Sequence, residues 1–227
     1  MQRWRQVIAE HAPGIPLWHG EVGAASQPGG AGGRANYPWT LTRQAKWMLR
    51  RFLFDLRMRT ELISYFHLVD LVGYRHSEAP TGKTNYKGLL HGTDYSPKPA
   101  YFAYQCLCAL FDAETTRSDF PITLDNANGH ETTEIDQIVT AEFVRQGKAM
   151  CVYWLPPGPE MERPDELVTL TVATRSDARL DKPVLVDPLD ATIYQPKNAE
   201  RTGDKWVFAG LRLADHPLIV MDGSLVA

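Results

Sequence analysis

The sequence predicts an α/β region followed by an all-β region. Two observations carry this. Over residues 1–112 the hydrophobic pattern alternates helix, strand, helix, strand, helix. After about Thr116 it breaks into many short strands separated by turn residues. The chain has 227 residues, 44% hydrophobic and 22% charged, an ordinary globular composition. That length holds one large domain or two small ones.

The elements follow in order. Residues 2–11 place Trp4, Val7, Ile8 and His11 on one helical face, and Pro13-Gly14 ends the helix. Residues 15–22 are a short apolar run, with Pro16 at a strand start and Gly20 and Gly23 around Glu21. A buried strand thus delivers one carboxylate at its C-terminal end, where α/β proteins place their chemistry. The plain alternative is a glutamate in an ion pair with an arginine. A glycine-rich loop over 24–39 ends in Tyr37-Pro38-Trp39. A second helix runs over 42–59 on a stripe of Ala45, Met48, Leu49, Phe52 and Leu56. Residues 62–69 form a nearly continuous aromatic and β-branched run, the pattern of a strand buried on both faces. Residues 73–96 are polar and irregular, and a loop of that length is usually functional. Ser96-Pro97-Lys98-Pro99 opens a third helix with serine as its cap, over 97–112.

Beyond residue 116, strands are expected at 122–124, 138–145, 148–155, 167–174, 184–186, 192–195, 205–213 and 218–221. Turn signals separate them, among them Asn128-Gly129, Gln146-Gly147, Pro156-Pro157-Gly158 and Gly203-Asp204. Short strands at this spacing argue an all-β sandwich.

Charge and composition exclude some classes. The net charge is -3 with no long basic run, which argues against nucleic acid. No uncharged apolar stretch approaches ~18 residues, so none is expected to span a membrane. Cys106, Cys108 and Cys151 lack a metal spacing and read as buried thiols, not a disulfide frame or a zinc site. Their compartment stays open.

In this order the parts resemble a known family. Pro16-Leu17-Trp18-His19-Gly20-Glu21-Val22-Gly23, then Ser64-Tyr65-Phe66-His67, then Tyr86-Lys87-Gly88-Leu89-Leu90 and Ser96-Pro97-Lys98-Pro99-Ala100-Tyr101-Phe102-Ala103 are similar to the C-terminal part of clan A retaining glycoside hydrolases. Those enzymes have a (β/α)8, or TIM, barrel often followed by a β-sandwich. The resemblance implies that 1–115 is the end of such a barrel, with strands seven and eight, and that 116–227 is the sandwich. It implies Glu21 as the nucleophile. Trp18, Tyr37, Trp39, Phe66 and His67 become candidates for lining the sugar site, with core packing as the alternative for the aromatic rings. The substrate would be a glycoside, oligosaccharide or polysaccharide. No metal or organic cofactor is implied.

Retaining hydrolysis needs a second carboxyl about 5–5.5 Å from the first. The family carries it in an Asn-Glu pair after strand four, and this chain has no Asn-Glu dipeptide. Asp70, Glu78 and Asp94 are the carboxylates of the loop after the second strand, and nothing assigns one of them the acid role. The expectation is therefore that the chain alone is inactive, its remaining barrel strands either lost through truncation or a gene-model error or supplied by another polypeptide. The other reading is a non-catalytic carbohydrate-binding or interaction protein built on the sandwich.

Overall fold

A computed structural model describes residues 2–32, 34–76, 79–126, 135–157 and 162–226. Glu78, Asn128-Gly129 and Gly158 therefore lie outside the described residues. The chain divides into two compact units, 1–101 and 102–227, with the division inside the third helix and ahead of the 115/116 change in periodicity.

The first unit begins with α1 (Gln2–His11), β1 (Trp18–Val22), α2 (Leu41–Arg57) and β2 (Leu62–Tyr65). Thr40 caps α2, its hydroxyl accepting from the Arg43 N–H at 3.1 Å. The helix buries Ala45, Met48, Leu49, Phe52 and Leu53, together with the polar Gln44 and Asp55. β1 and β2 pair in parallel, and α2 is the crossover connection that parallel neighbours need. β2 is shorter than expected and is not buried on both faces: Leu62 and Ser64 are exposed and only Ile63 and Tyr65 face inward. No further strand pairs with either edge of β1–β2 among the described residues.

The segment after β2 is not the irregular loop its polarity predicts. It folds into an antiparallel hairpin, β3 (Leu71–His76) and β4 (Ala79–Asn85). Gly73 and Gly82 adopt positive φ of 66° and 80°, and the register shifts between Leu71 and Tyr74 and again before His76. These bulges erase the alternation that marks a strand in sequence. α3 (Pro99–Leu110) starts two residues later than expected, with proline in its first position. Ser96 does not cap it; its hydroxyl donates to Asp94 Oδ1 at 2.7 Å.

The strand pairs of the second unit are all antiparallel. Its strands are β5 (Thr116–Ser118), β6 (Ile122–Asn126), β7 (Val139–Arg145), β8 (Lys148–Trp154), β9 (Glu166–Ala173), β10 (Pro183–Asp187), β11 (Thr192–Tyr194), β12 (Ala199–Thr202), β13 (Lys205–Leu213) and β14 (Leu218–Asp222). A six-stranded sheet runs β11-β10-β14-β8-β7-β5 and a four-stranded one β12-β13-β9-β6. β5 and β12 escaped the sequence reading. Both are short edge strands of polar residues. Residues of both sheets share one apolar core: Cys151, Tyr153, Leu218 and Val220 from one, Val168, Leu170, Val172 and Phe208 from the other. The period-2 pattern of β9 is the clearest case, with Val168, Leu170 and Val172 fully buried between half-exposed neighbours. The Gln146-Gly147 turn joins β7 to β8 with both residues at positive φ, the geometry that suits a two-residue hairpin. No described helix is long and apolar enough to cross a membrane.

Candidate active site

Glu21 sits near the C-terminal end of β1, and a bulge decides which way it faces. His19 pairs with Ile63 and Val22 with Tyr65, so three steps on β1 answer two on β2. The extra residue returns Val22 to the face of His19. That face meets α2: His19 Nδ1 stands 2.8 Å from Asp55 Oδ2 and 2.9 Å from Arg51 Nη2, and the Tyr65 hydroxyl lies 3.3 Å from Gln44 Nε2. By alternation Glu21 then falls on the opposite face, with Trp18, Leu62 and Ser64. It is exposed there, and its carboxylate makes no hydrogen bond or ion pair with the described residues. The histidine two positions earlier is thus not its partner.

Parallel pairing sets the end of β2 beside Glu21. The Phe66 N–H donates to the Val22 carbonyl at 2.9 Å. A Cβ on Gly23 would stand 1.9 Å from the Phe66 carbonyl oxygen, so only glycine fits. Phe66 and His67 pack edge to face at 4.5 Å, and Lys87 lies 5.9 Å from the Phe66 ring centre. The Phe66–His67 peptide is cis. His67 Nδ1 is 2.6 Å from the Val69 carbonyl. A carbonyl only accepts, so that nitrogen carries the proton. Nε2 is buried without a partner among the described residues.

The other candidates are placed apart. Trp18 is 62% exposed on the same face as Glu21 but three positions back, about 10 Å along a strand. Tyr37 is exposed, with Arg34 5.7 Å from its ring centre. Trp39 is 4% exposed, and its indole N–H donates to the Arg34 carbonyl at 2.9 Å. Its ring is packing inside the loop and offers no face to a sugar.

Of the carboxylates weighed as acids, Asp94 is held by Ser96, whose backbone N–H and hydroxyl lower its pKa. Asp70 is committed elsewhere. Buried Lys98 donates to it at 2.6 Å and to Ser26 Oγ at 2.9 Å, and the Gly88 N–H reaches the same aspartate oxygen at 2.8 Å. Burial pushes the Lys98 pKa down, against the opposing pull of Asp70. Gln44 completes the arrangement, donating to the Ala24 and Gly88 carbonyls at 3.0 Å each. This polar cluster pins the glycine-rich loop after Glu21 to the hairpin and to the start of α3. Sequence reading missed it. Lys98 lies 28 positions from Asp70 and 72 from Ser26, and a lysine between two prolines reads as a solvated loop residue. No group of three or more His, Cys, Asp or Glu could hold a metal among the described residues.

Neither a family model nor a curated protein sequence matches the chain. Solved structures do. A glycoside hydrolase family 30 subfamily 8 xylanase from Clostridium acetobutylicum aligns with a TM-score of 0.54 at 7% identity, over 92% of this chain and 42% of that one. A family 51 arabinofuranosidase from Xanthomonas axonopodis pv. citri aligns at 0.53 and 14% identity, over 97% and 44%. The fold resembles part of a glycoside hydrolase. A family 30 endoxylanase from Clostridium papyrosolvens aligns at 0.50 and 10% identity, over 95% and 44%. The chain therefore spans less than half the length of each of these relatives in fold. At these identities the likeness concerns the fold alone.

Proposed function

We propose that the chain is the C-terminal part of a retaining glycoside hydrolase acting on a carbohydrate substrate. In this reading β1 and β2 are the last two strands of a (β/α)8 barrel, and the two antiparallel sheets are a β-sandwich following it. Glu21 is the nucleophile. The observation that carries the reading is the bulge in β1. It turns Glu21 away from the helix layer, onto the face that a closed barrel would enclose. An ionised Glu21 attacks the anomeric carbon and forms a glycosyl-enzyme ester, which water then hydrolyses. By the family pattern the acid that protonates the leaving group comes from outside this chain; Asp70 and Asp94 are held in other interactions. Phe66, His67 and Tyr37 line the sugar site, and Trp18 stands further from the chemistry.

The test is a 2-fluoroglycoside that traps the ester, applied to a complete barrel carrying this chain. The expected result is a mass shift on the peptide containing Glu21, and turnover lost in Glu21→Gln with the fold retained. A label on another residue overturns the assignment.

A further inference from the structure

The second unit carries a groove of about 290 Å³ that has no part in the chemistry of Glu21. It lies where the chain crosses from β11, an edge of the six-stranded sheet, to β12, an edge of the four-stranded sheet. Leu185, Pro196, Ala209 and Leu211 contribute an apolar floor. The register of β13 shifts between Phe208 and Leu211, and Gly210 there has a φ of 67°. The Ala209 N–H donates to the Asn198 carbonyl at 3.0 Å and holds the crossover down.

The polar groups around this floor are available. Tyr194 is 41% exposed. Among the described residues its hydroxyl, the Asn198 amide and the Lys197 ammonium have no hydrogen-bond partner. Gln195 uses one bond, to the Pro183 carbonyl at 3.2 Å, and keeps its acceptor oxygen. An exposed ring beside unused amides and an amine suits a molecule with one apolar face and a hydroxylated edge. A pyranose or furanose ring has that make-up. The volume stands at the small end of ligand sites, roughly 300–1,000 Å³, enough for a short segment of chain and not a folded partner.

We infer that this groove is a carbohydrate-binding site separate from the Glu21 site, taking a short segment of a neutral polysaccharide. A sugar ring stacks on Tyr194, and its hydroxyls are met by Asn198, Gln195 and Lys197. The site would hold a polymer to the molecule without contributing to bond cleavage. The inference shares with the proposed function only the class of substrate.

The experiment is native gel electrophoresis of the 227-residue chain through gels containing arabinoxylan, mixed-linkage β-glucan or dextran. At least one polymer should retard it. Tyr194→Ala should weaken retardation about tenfold and Asn198→Ala about fivefold, whereas Tyr194→Phe keeps most of it. Tyr95→Ala, an exposed tyrosine in the first unit, should leave it unchanged. Circular dichroism confirms that each variant is folded. Retardation by none of the polymers overturns the groove. So does retardation lost in Trp18→Ala but kept in Tyr194→Ala, an outcome that leaves the reading of Glu21 standing.

Discussion

In residues 1–101 the side chains sealed from water include Lys98, Asp70, Gln44 and Ser26, bonded to one another and to loop carbonyls. In residues 102–227 the large sealed side chains include Trp154, Tyr153, Phe120, Phe208, Met150 and Leu170. The second unit's buried charges are the His216–Asp187–Arg212 group with Asp215, Asp222, and Glu142 paired with Arg117. Apolar cores stabilise by area removed from water and tolerate many arrangements. A buried ion pair has its desolvation cost to offset and adds little net stability, but it penalises every arrangement that breaks it. The first unit thus spends burial on fixing the loop that follows Glu21, while the second spends it on holding two sheets together.

Four substitutions test this contrast, from the largest effect down. Lys98→Met leaves Asp70 buried and uncompensated and should cost about 3–5 kcal/mol. Chemical denaturation measures it, and hydrogen exchange at Ser26 and Gly88 should locate the loss in the first unit. A cost below about 1 kcal/mol would erase the distinction. Leu170→Ala, at a fully buried site of the shared core, should cost about 2–5 kcal/mol with loss confined to the second unit.

Asp222→Asn should cost about 1.5–3 kcal/mol at neutral pH. Burial pushes the Asp222 pKa up, but the Ser224 hydroxyl and the N–H groups of Asp181, Lys182 and Ser224 outweigh it and bring it to about 2. A depressed carboxylate stabilises above its unfolded pKa, and the contribution fades as pH falls from about 4 through about 2. The wild-type second unit should therefore lose stability over that window, and Asp222→Asn should flatten the slope. Smallest is Gly210→Ala, about 1–2 kcal/mol from forcing a side chain into left-handed backbone, because the space around it is open. It should alter the crossover groove more than the core.

The sequence made some of this legible and hid the rest for physical reasons. Local patterns survived. The stripe on α2, the alternation on β9, and the glycines flanking a lone glutamate at a strand end are short-range signals, and each element is where those signals put it. Long-range pairing did not survive. Lys98 looks solvated until the fold brings Asp70 to it, and Trp39 looks like a loop platform until the Arg34 carbonyl takes its N–H. The β3–β4 hairpin was hidden by its glycine bulges, and β5 and β12 by polar edges that need no apolar side. The facing of Glu21 belongs to the same class, since alternation alone sets it with His19.

That extra step in β1 bears on how this chain is compared with others. A strand-by-strand superposition that assumes one-to-one pairing slips by one place between His19 and Val22, and it matches Glu21 to a residue of the opposite face. A strand that kept His19, Gly20 and Glu21 in order but paired regularly with its neighbour would instead set the carboxylate beside His19, toward Asp55 and the helix layer. Counting paired steps across this short span, and not the glutamate's presence, is what separates a counterpart of Glu21 from a look-alike.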